Sequence, residues 1–200
     1  LDQLLARRRY AQVVSFILNE EGLGYGRLPK ALLKFHDYPT GSRTPLEEHL
    51  VEAALYCRDG LGKSRLHFTV SIEHLRLVED KLACVKGIYE NRWGVSFQIG
   101  VSVQGSATDT LAVDENGMPF RLEDGHLCFR PGGHGALLEN LNAMDGDIVF
   151  IKNIDNIVPD RLKPTTVHYK KVLCGCLLDL QNRIFSALRM LDTGKIPSDS

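Results

Sequence analysis

Apolar residues recur along this chain with two different periods, and the stretches where each period holds mark its elements. Leu4, Leu5, Val13, Val14, Ile17 and Leu18 fall at helical spacing up to about Glu21, where Gly22, Gly24 and Gly26 break the pattern. Ala31 to His36, after Pro29-Lys30, predicts a short strand. Thr44-Pro45-Leu46-Glu47 supplies an N-cap, a proline at the first helical position and a glutamate three residues after the cap. That capping-box pattern predicts a helix to about Cys57. Arg65 to Val70 alternates and is rich in strand formers; Ser71 then caps a helix carrying Ile72, Leu75, Val78, Leu82 and Val85. Val95, Phe97, Ile99, Val101 and Val103 alternate strictly, which predicts the best-defined strand of the chain, with Gln104 at its end.

From Gly105 to Arg130, Glu115-Asn116-Gly117 and Glu123-Asp124-Gly125 are turn signals between short apolar pieces, so hairpins are expected there. Pro131-Gly132-Gly133-His134-Gly135 opens a short helix, Ala136 to Asn142. Asp147 to Lys152 is continuously apolar between its ends and reads as a strand buried on both faces. From about Pro164, Leu173, Leu177, Leu180, Ile184, Leu188 and Leu191 define a long amphipathic helix that ends before Gly194, followed by a loose polar tail from Lys195. Strands alternating with helices predict an α/β domain over residues 1–194, a mostly parallel sheet with helices on its faces. The absence of an initial methionine suggests a piece of a longer protein.

Composition narrows the partners. With 44% hydrophobic and 24% charged residues, the 200-residue chain can bury one sizeable core. A formal net charge of -1 and a pI of about 6.7 give no summed positive field for a phosphate backbone, so nucleic acid is not expected. No apolar run has membrane-spanning length, and Leu1 to Tyr10 lacks the make-up of a signal peptide, which predicts a cytoplasmic protein. Cys57, Cys84, Cys128, Cys174 and Cys176 are scattered and odd in number, which favours reduced thiols. Cys174 and Cys176, two apart on a helix, do not face one ion. Arg7, Arg8 and Arg9 read as the solvated side of the first helix.

Three places carry candidate chemistry, each with a plainer reading beside it. Lys30 follows a glycine-rich turn and offers a point charge to a phosphate, or is a surface lysine. Gly132-Gly133-His134-Gly135 leads into a helix, where glycines let backbone approach a ligand, or only reverse the chain. Asn153-Ile154-Asp155-Asn156 follows the expected buried strand; a carboxylate there suits Mg²⁺, or the segment is an Asx turn. Asp145-Gly146-Asp147 lies before that strand and reads as a turn.

Together these motifs carry a resemblance. Leu28-Pro29-Lys30-Ala31-Leu32-Leu33 resembles the Pro-Lys stretch after the signature loop of nucleotidyltransferases. The series Phe97 to Gln104, hairpins, Pro131 to Gly135, and Ile148 to Asn156 resembles the eukaryotic-type UDP-sugar pyrophosphorylases. Phe129 to Asn142, Lys152 to Asn156 and Thr44 to Leu50 resemble more closely a bacterial family, domain of unknown function 4301. The resemblance implies a Rossmann-like, GT-A-like three-layer nucleotidyltransferase fold. It implies an enzyme that joins a nucleoside triphosphate to a sugar 1-phosphate with Mg²⁺ and releases pyrophosphate. Carried over by residue, Lys30 and Asp155 are catalytic, and Asp155 binds the metal. Gln104, Gly132, Gly133, His134, Gly135, Asn153 and Asn156 hold the nucleotide around one crevice. The glycine-rich loop before Lys30 matches poorly, and a second metal-binding aspartate has no counterpart. Two other readings stand beside this one: a non-catalytic nucleotide or nucleotide-sugar binding module, and an assembly domain with Thr165 to Leu191 as its interface.

Overall fold

The computed structural model describes residues 1–194, so the expected tail from Lys195 lies outside the described residues. Its centre is helix α3 (Pro45–Tyr56), whose start is the expected capping box: Thr44 accepts from the Glu47 amide, and the Glu47 carboxylate accepts from the Thr44 amide. Leu46, Leu50 and Val51 are fully buried, and Ala53 and Ala54 nearly so, which leaves α3 hardly any solvent face. Each buried leucine contributes about 1.5–3 kcal/mol of transfer free energy.

Strand β1 (Lys63–Val70), helix α4 (Leu75–Trp93) and strand β2 (Ser96–Val103) form a strand–helix–strand unit with β1 and β2 parallel and in register from Lys63↔Ser96 to Val70↔Val103. The alternation read in the sequence sorts the two faces. Leu66, Phe68, Phe97, Ile99 and Val101 face the core against α3 and α4; α4 contributes Val78, Leu82, Val85 and Tyr89 at helical spacing and ends at Gly94, whose φ is 59°. On the other face the His67 ring lies over Gly100 and bonds Ser102, where Asn140 of α5 (Leu138–Asn142) also arrives.

Several expectations need correction. The sheet is a two-stranded parallel pair rather than a broad sheet with helices on both faces, so the fold established here is mixed α/β with short sheets. Ala31 to His36 is not a strand: Pro29 starts a single 3₁₀ turn, Lys30–Leu32, and the amides of Phe35 and His36 go to the carbonyl of Arg43 across a tight loop. Asp147 to Lys152 is not a buried strand either. Its burial alternates, with Ile148, Phe150, Lys152 and Ile154 turned inward and Val149 and Ile151 exposed; among the described residues no ladder of backbone bonds joins it to another strand. The N-terminal pattern splits into α1 (Asp2–Ala6) and α2 (Tyr10–Leu18) at Arg8, whose φ of 54° is outside the right-handed region. Ser71 precedes α4 as expected, but its hydroxyl bonds the His74 ring at 2.7 Å rather than an orphan amide.

The hairpins appear as expected. Strands β3 (Asp109–Leu111) and β4 (Phe129–Pro131) pair antiparallel, and between them Gly117 and Gly125 take positive φ at the two predicted turns. Helix α6 (Lys163–Asp192) closes the described chain, and Leu173, Leu177, Leu180, Ile184 and Leu191 along it are exposed. Its first residue is the anchor. Lys163 is buried and donates to Glu48 at 2.5 Å, and the same carboxylate takes Tyr38 at 2.6 Å, His36 at 3.0 Å and Arg43.

Candidate functional site

The carboxyl ends of parallel strands are where an open α/β layer leaves room for a ligand, because the chain departs there in opposite directions. A cavity of about 200 Å³ opens at the end of β1. Phe68, Val70, Val78 and Ile154 give it an apolar floor, and Lys30, Thr69, Ser71 and His74 bring polar groups to it. The 3₁₀ turn after Pro29 places Lys30 here, since Ala31 is buried among the core residues and fixes the turn.

Asp155 arrives from the other side. The Asn156 amide donates to the Asn153 carbonyl at 3.1 Å, closing a turn with Ile154 and Asp155 at its corner. Ile154 points into the cavity, while the Asp155 carboxylate meets the Lys30 ammonium at 3.0 Å. The hydrogen bond from Lys30 holds the Asp155 carboxyl below the usual carboxylate range, so it is ionised near neutral pH. Asn153 turns to the glycine-rich loop, its Oδ1 2.9 Å from His134 Nε2. Lys30, Asn153, Asp155, Asn156 and His134 thus gather around one turn, and Gly132, Gly133 and Gly135 accompany His134. Gly133 takes a φ of 60°, and a Cβ at Gly132 would come 2.5 Å from the Thr110 side chain.

Gln104 stands one strand away. Its amide N–H donates to the Val70 carbonyl at 3.2 Å, and its buried side-chain Nε2 has no hydrogen-bond partner among the described residues. A buried amide left unpaired costs free energy, but Gln104 does not line the cavity, so the structure does not bring this expected residue into the crevice beside Lys30. Asp145 and Asp147 are exposed and lie before the inward-facing segment, and no hydrogen-bonded turn forms across them among the described residues.

Mg²⁺ takes one or two carboxylates and keeps several waters, completing its shell with substrate oxygens. The ionised, solvent-exposed Asp155 fits one such ligand position. Among the described residues no group of three or more His, Cys, Asp or Glu side chains converges, so an ion here would complete its shell with water and substrate oxygens.

Four residues near the site escaped the sequence reading: Thr69 and His74 at the cavity, and His49 and Glu52 behind Asp155. The signal for the last two was present. With apolar residues on nearly every side of α3, Glu48, His49 and Glu52 have little solvent face to occupy. His49 is the only one of these without a carboxylate; burial, and then the nearby Lys152 ammonium, push its pKa down, so its neutral ring bonds the Ile154 carbonyl at 3.1 Å.

These features define a mixed α/β domain with a polar-rimmed crevice at the carboxyl end of a parallel strand pair. Residues 1–200 match the family described as Domain of unknown function (DUF4301), and the chain belongs to that family. Neither a curated protein nor a solved structure matches it. Among the described residues no helix is long and apolar enough to cross a membrane.

Proposed function

We propose that this crevice binds the phosphates of a nucleoside triphosphate with Mg²⁺ and transfers the nucleotidyl group to a sugar 1-phosphate in the cytoplasm. The fold we infer around it is Rossmann-like, of the GT-A nucleotidyltransferase type, with β1–α4–β2 as one of its units. The observation that carries the reading is the meeting of Lys30 and Asp155, 125 positions apart, beside a cavity at the strand ends.

In the reaction an oxygen of the sugar 1-phosphate attacks the α-phosphorus, and the bond to the β-phosphate oxygen breaks. Pyrophosphate leaves with the electron pair. Repulsion between two anions dominates the barrier, so positioning and positive charge are what the protein must supply. Bound Mg²⁺ would neutralise phosphate charge beside Asp155. Lys30 exchanges its carboxylate partner for a phosphate oxygen, which costs little because an exposed ion pair is weak. His134 and Asn153 keep the glycine-rich loop against the turn.

Thermal unfolding with each common triphosphate, with and without Mg²⁺, tests the binding. Pyrophosphate release in the presence of hexose 1-phosphates tests the turnover. A metal-dependent shift with release supports the enzyme, a shift without release identifies a binding module, and no shift with any triphosphate removes the reading. A second reading, self-association through α6, is favoured by the exposure of Leu173, Leu177 and Leu191. Sedimentation that finds a monomer removes it.

A further inference from the structure

Asp155 and Lys30 are both exposed, and an ion pair of that kind does not by itself fix where its partners stand. The position of Asp155 must come from what lies behind it. The preceding segment meets α3 at three levels. The Phe150 ring packs edge-on to Tyr56, with centroids 5.2 Å apart. Lys152 donates to Glu52, whose carboxylate also accepts from Tyr56 at 3.1 Å. The Ile154 carbonyl accepts from His49 at 3.1 Å.

The partners run backwards along the helix, 56, 52 and 49, as the segment advances through 150, 152 and 154. This order has a geometric cause. Two residues of extended chain advance about 6.6 Å, and four residues of helix advance about 6 Å. The Phe150 ring, the Lys152 ammonium and the Ile154 carbonyl, at every second position of the segment, therefore each meet a partner three or four residues further back along α3. The alternating burial of Ile148, Phe150, Lys152 and Ile154 is the other side of the same match.

We propose that α3 is a ruler for the candidate site: His49 and Glu52 are positioning residues that seat Ile154 and Lys152, and so set where Asp155 stands relative to Lys30. The inference rests on the reading of Lys30 and Asp155 as the ligand-holding pair. Both halves of that pair hang from α3, because Ala31 beside Lys30 is buried in the cluster that contains Leu46 and Leu50. The middle rung tolerates no slippage. Glu52 is 1% exposed and the Lys152 side chain 13%, so a shift of register would strand two desolvated charges. One Glu52 oxygen, Oε1, has no partner among the described residues, so the carboxylate depends on Lys152 and Tyr56 for compensation.

Three variants test the ruler against wild type: His49→Leu, His49→Gln, and Glu52→Met with Lys152→Met, which removes both charges together and leaves none alone. The first readout is amide hydrogen exchange at Asn156, whose N–H donates to the Asn153 carbonyl across the turn that carries Asp155, in the ligand-free protein, with α4 as the internal control. Losing one hydrogen bond is expected to speed exchange there about fivefold in His49→Leu, and likewise in the double variant. His49→Gln donates from its own amide and is expected to restore wild-type exchange. The second readout is the dissociation constant for UTP with Mg²⁺, which should weaken about fivefold in the same two proteins and recover in His49→Gln.

Unchanged exchange in both His49→Leu and the double variant overturns the ruler, as does His49→Gln behaving like His49→Leu. If wild type binds no nucleotide but exchange responds as described, the proposed function fails and the ruler stands. Nucleotide binding with indifferent exchange has the opposite meaning.

Discussion

Lys30 Nζ lies 3.0 Å from Asp155 Oδ2, joining the turn after Pro29 to a turn 125 residues further along the chain. Each side chain is solvent-exposed, so the contact adds little to folding and remains available for exchange with a ligand. Lys30→Met and Asp155→Asn are therefore expected to melt like wild type without ligand. With UTP and Mg²⁺ at a hundredfold their dissociation constant, wild type should gain about 2.7 kcal/mol. Both variants should lose that gain, and chelation of Mg²⁺ should diminish it in wild type. Retention of the full ligand-induced shift by Asp155→Asn would remove Asp155 from the site.

Glu48 carries a separate, pH-dependent prediction. Burial would push its carboxyl up, but the hydrogen bond from Lys163, with those from Tyr38 and His36, outweighs this and holds it below the usual range. Arg43 and Asp160 complete the charged surroundings, with Tyr89 from α4 close by; Asp160 is also held low, burial being outweighed by Arg43. Because the folded-state pKa values of both carboxyls are depressed, their stabilisation is present above the ordinary carboxylate range and is lost as pH falls through the folded values. The melting temperature should decline gently below about pH 6.5, as the unfolded chain takes up the proton that folded His49 resists, and then fall steeply below about pH 4 as the two carboxyls are protonated. Glu48→Gln leaves Lys163 and Arg43 under-compensated in the interior and should cost about 3–5 kcal/mol at pH 7. Its loss on acidification should be shallower than in wild type. Equal acid sensitivity in the two proteins would show that Glu48 does not govern the transition.

Local chemistry made some of this fold legible. Thr44, Pro45 and Glu47 announced α3, and the alternation from Val95 to Val103 announced β2, because capping and pleating act between near neighbours. Ile148, Val149, Phe150 and Ile151 misled for a physical reason. A continuous apolar run resembles a strand buried on both faces, but such a strand needs backbone partners that its own residues cannot specify. The segment instead buries alternate side chains against a helix. The order of motifs pointed to Lys30, Asp155 and His134 as neighbours, and they gather around one turn. His49 and Glu52 stayed hidden because their partners, Ile154 and Lys152, lie about a hundred residues away.

The capping box offers a local test of α3. Thr44 Oγ1 accepts from the Glu47 amide at 3.3 Å, and Glu47 accepts from both the Thr44 amide and hydroxyl at 2.9 Å. Thr44→Ala removes the side-chain acceptor in a buried setting and should cost about 0.5–2 kcal/mol, read by urea unfolding. Thr44→Ser keeps the hydroxyl and should recover most of that loss. A serine variant as unstable as the alanine variant would mean that the threonine methyl, rather than the cap, matters there.

Gly100 and His67 make the last prediction, on the polar face of the strand pair. They are register partners in β2 and β1, and the His67 ring lies so close over Gly100 that a Cβ there would stand 2.7 Å from its Nδ1. The ring cannot retreat freely, because its Nε2 is 2.7 Å from Ser102 Oγ, which also receives Asn140 of α5 at 2.8 Å. Gly100→Ala should therefore displace His67, break the link to Ser102 and cost about 1–3 kcal/mol. His67→Ala removes the obstacle at the cost of that same link. In the double variant the alanine meets no ring, so the two losses should sum to more than the observed one. Strict additivity in that cycle would mean that the strands accommodate the methyl group by shifting backbone, and that Gly100 serves the sheet rather than the His67 ring.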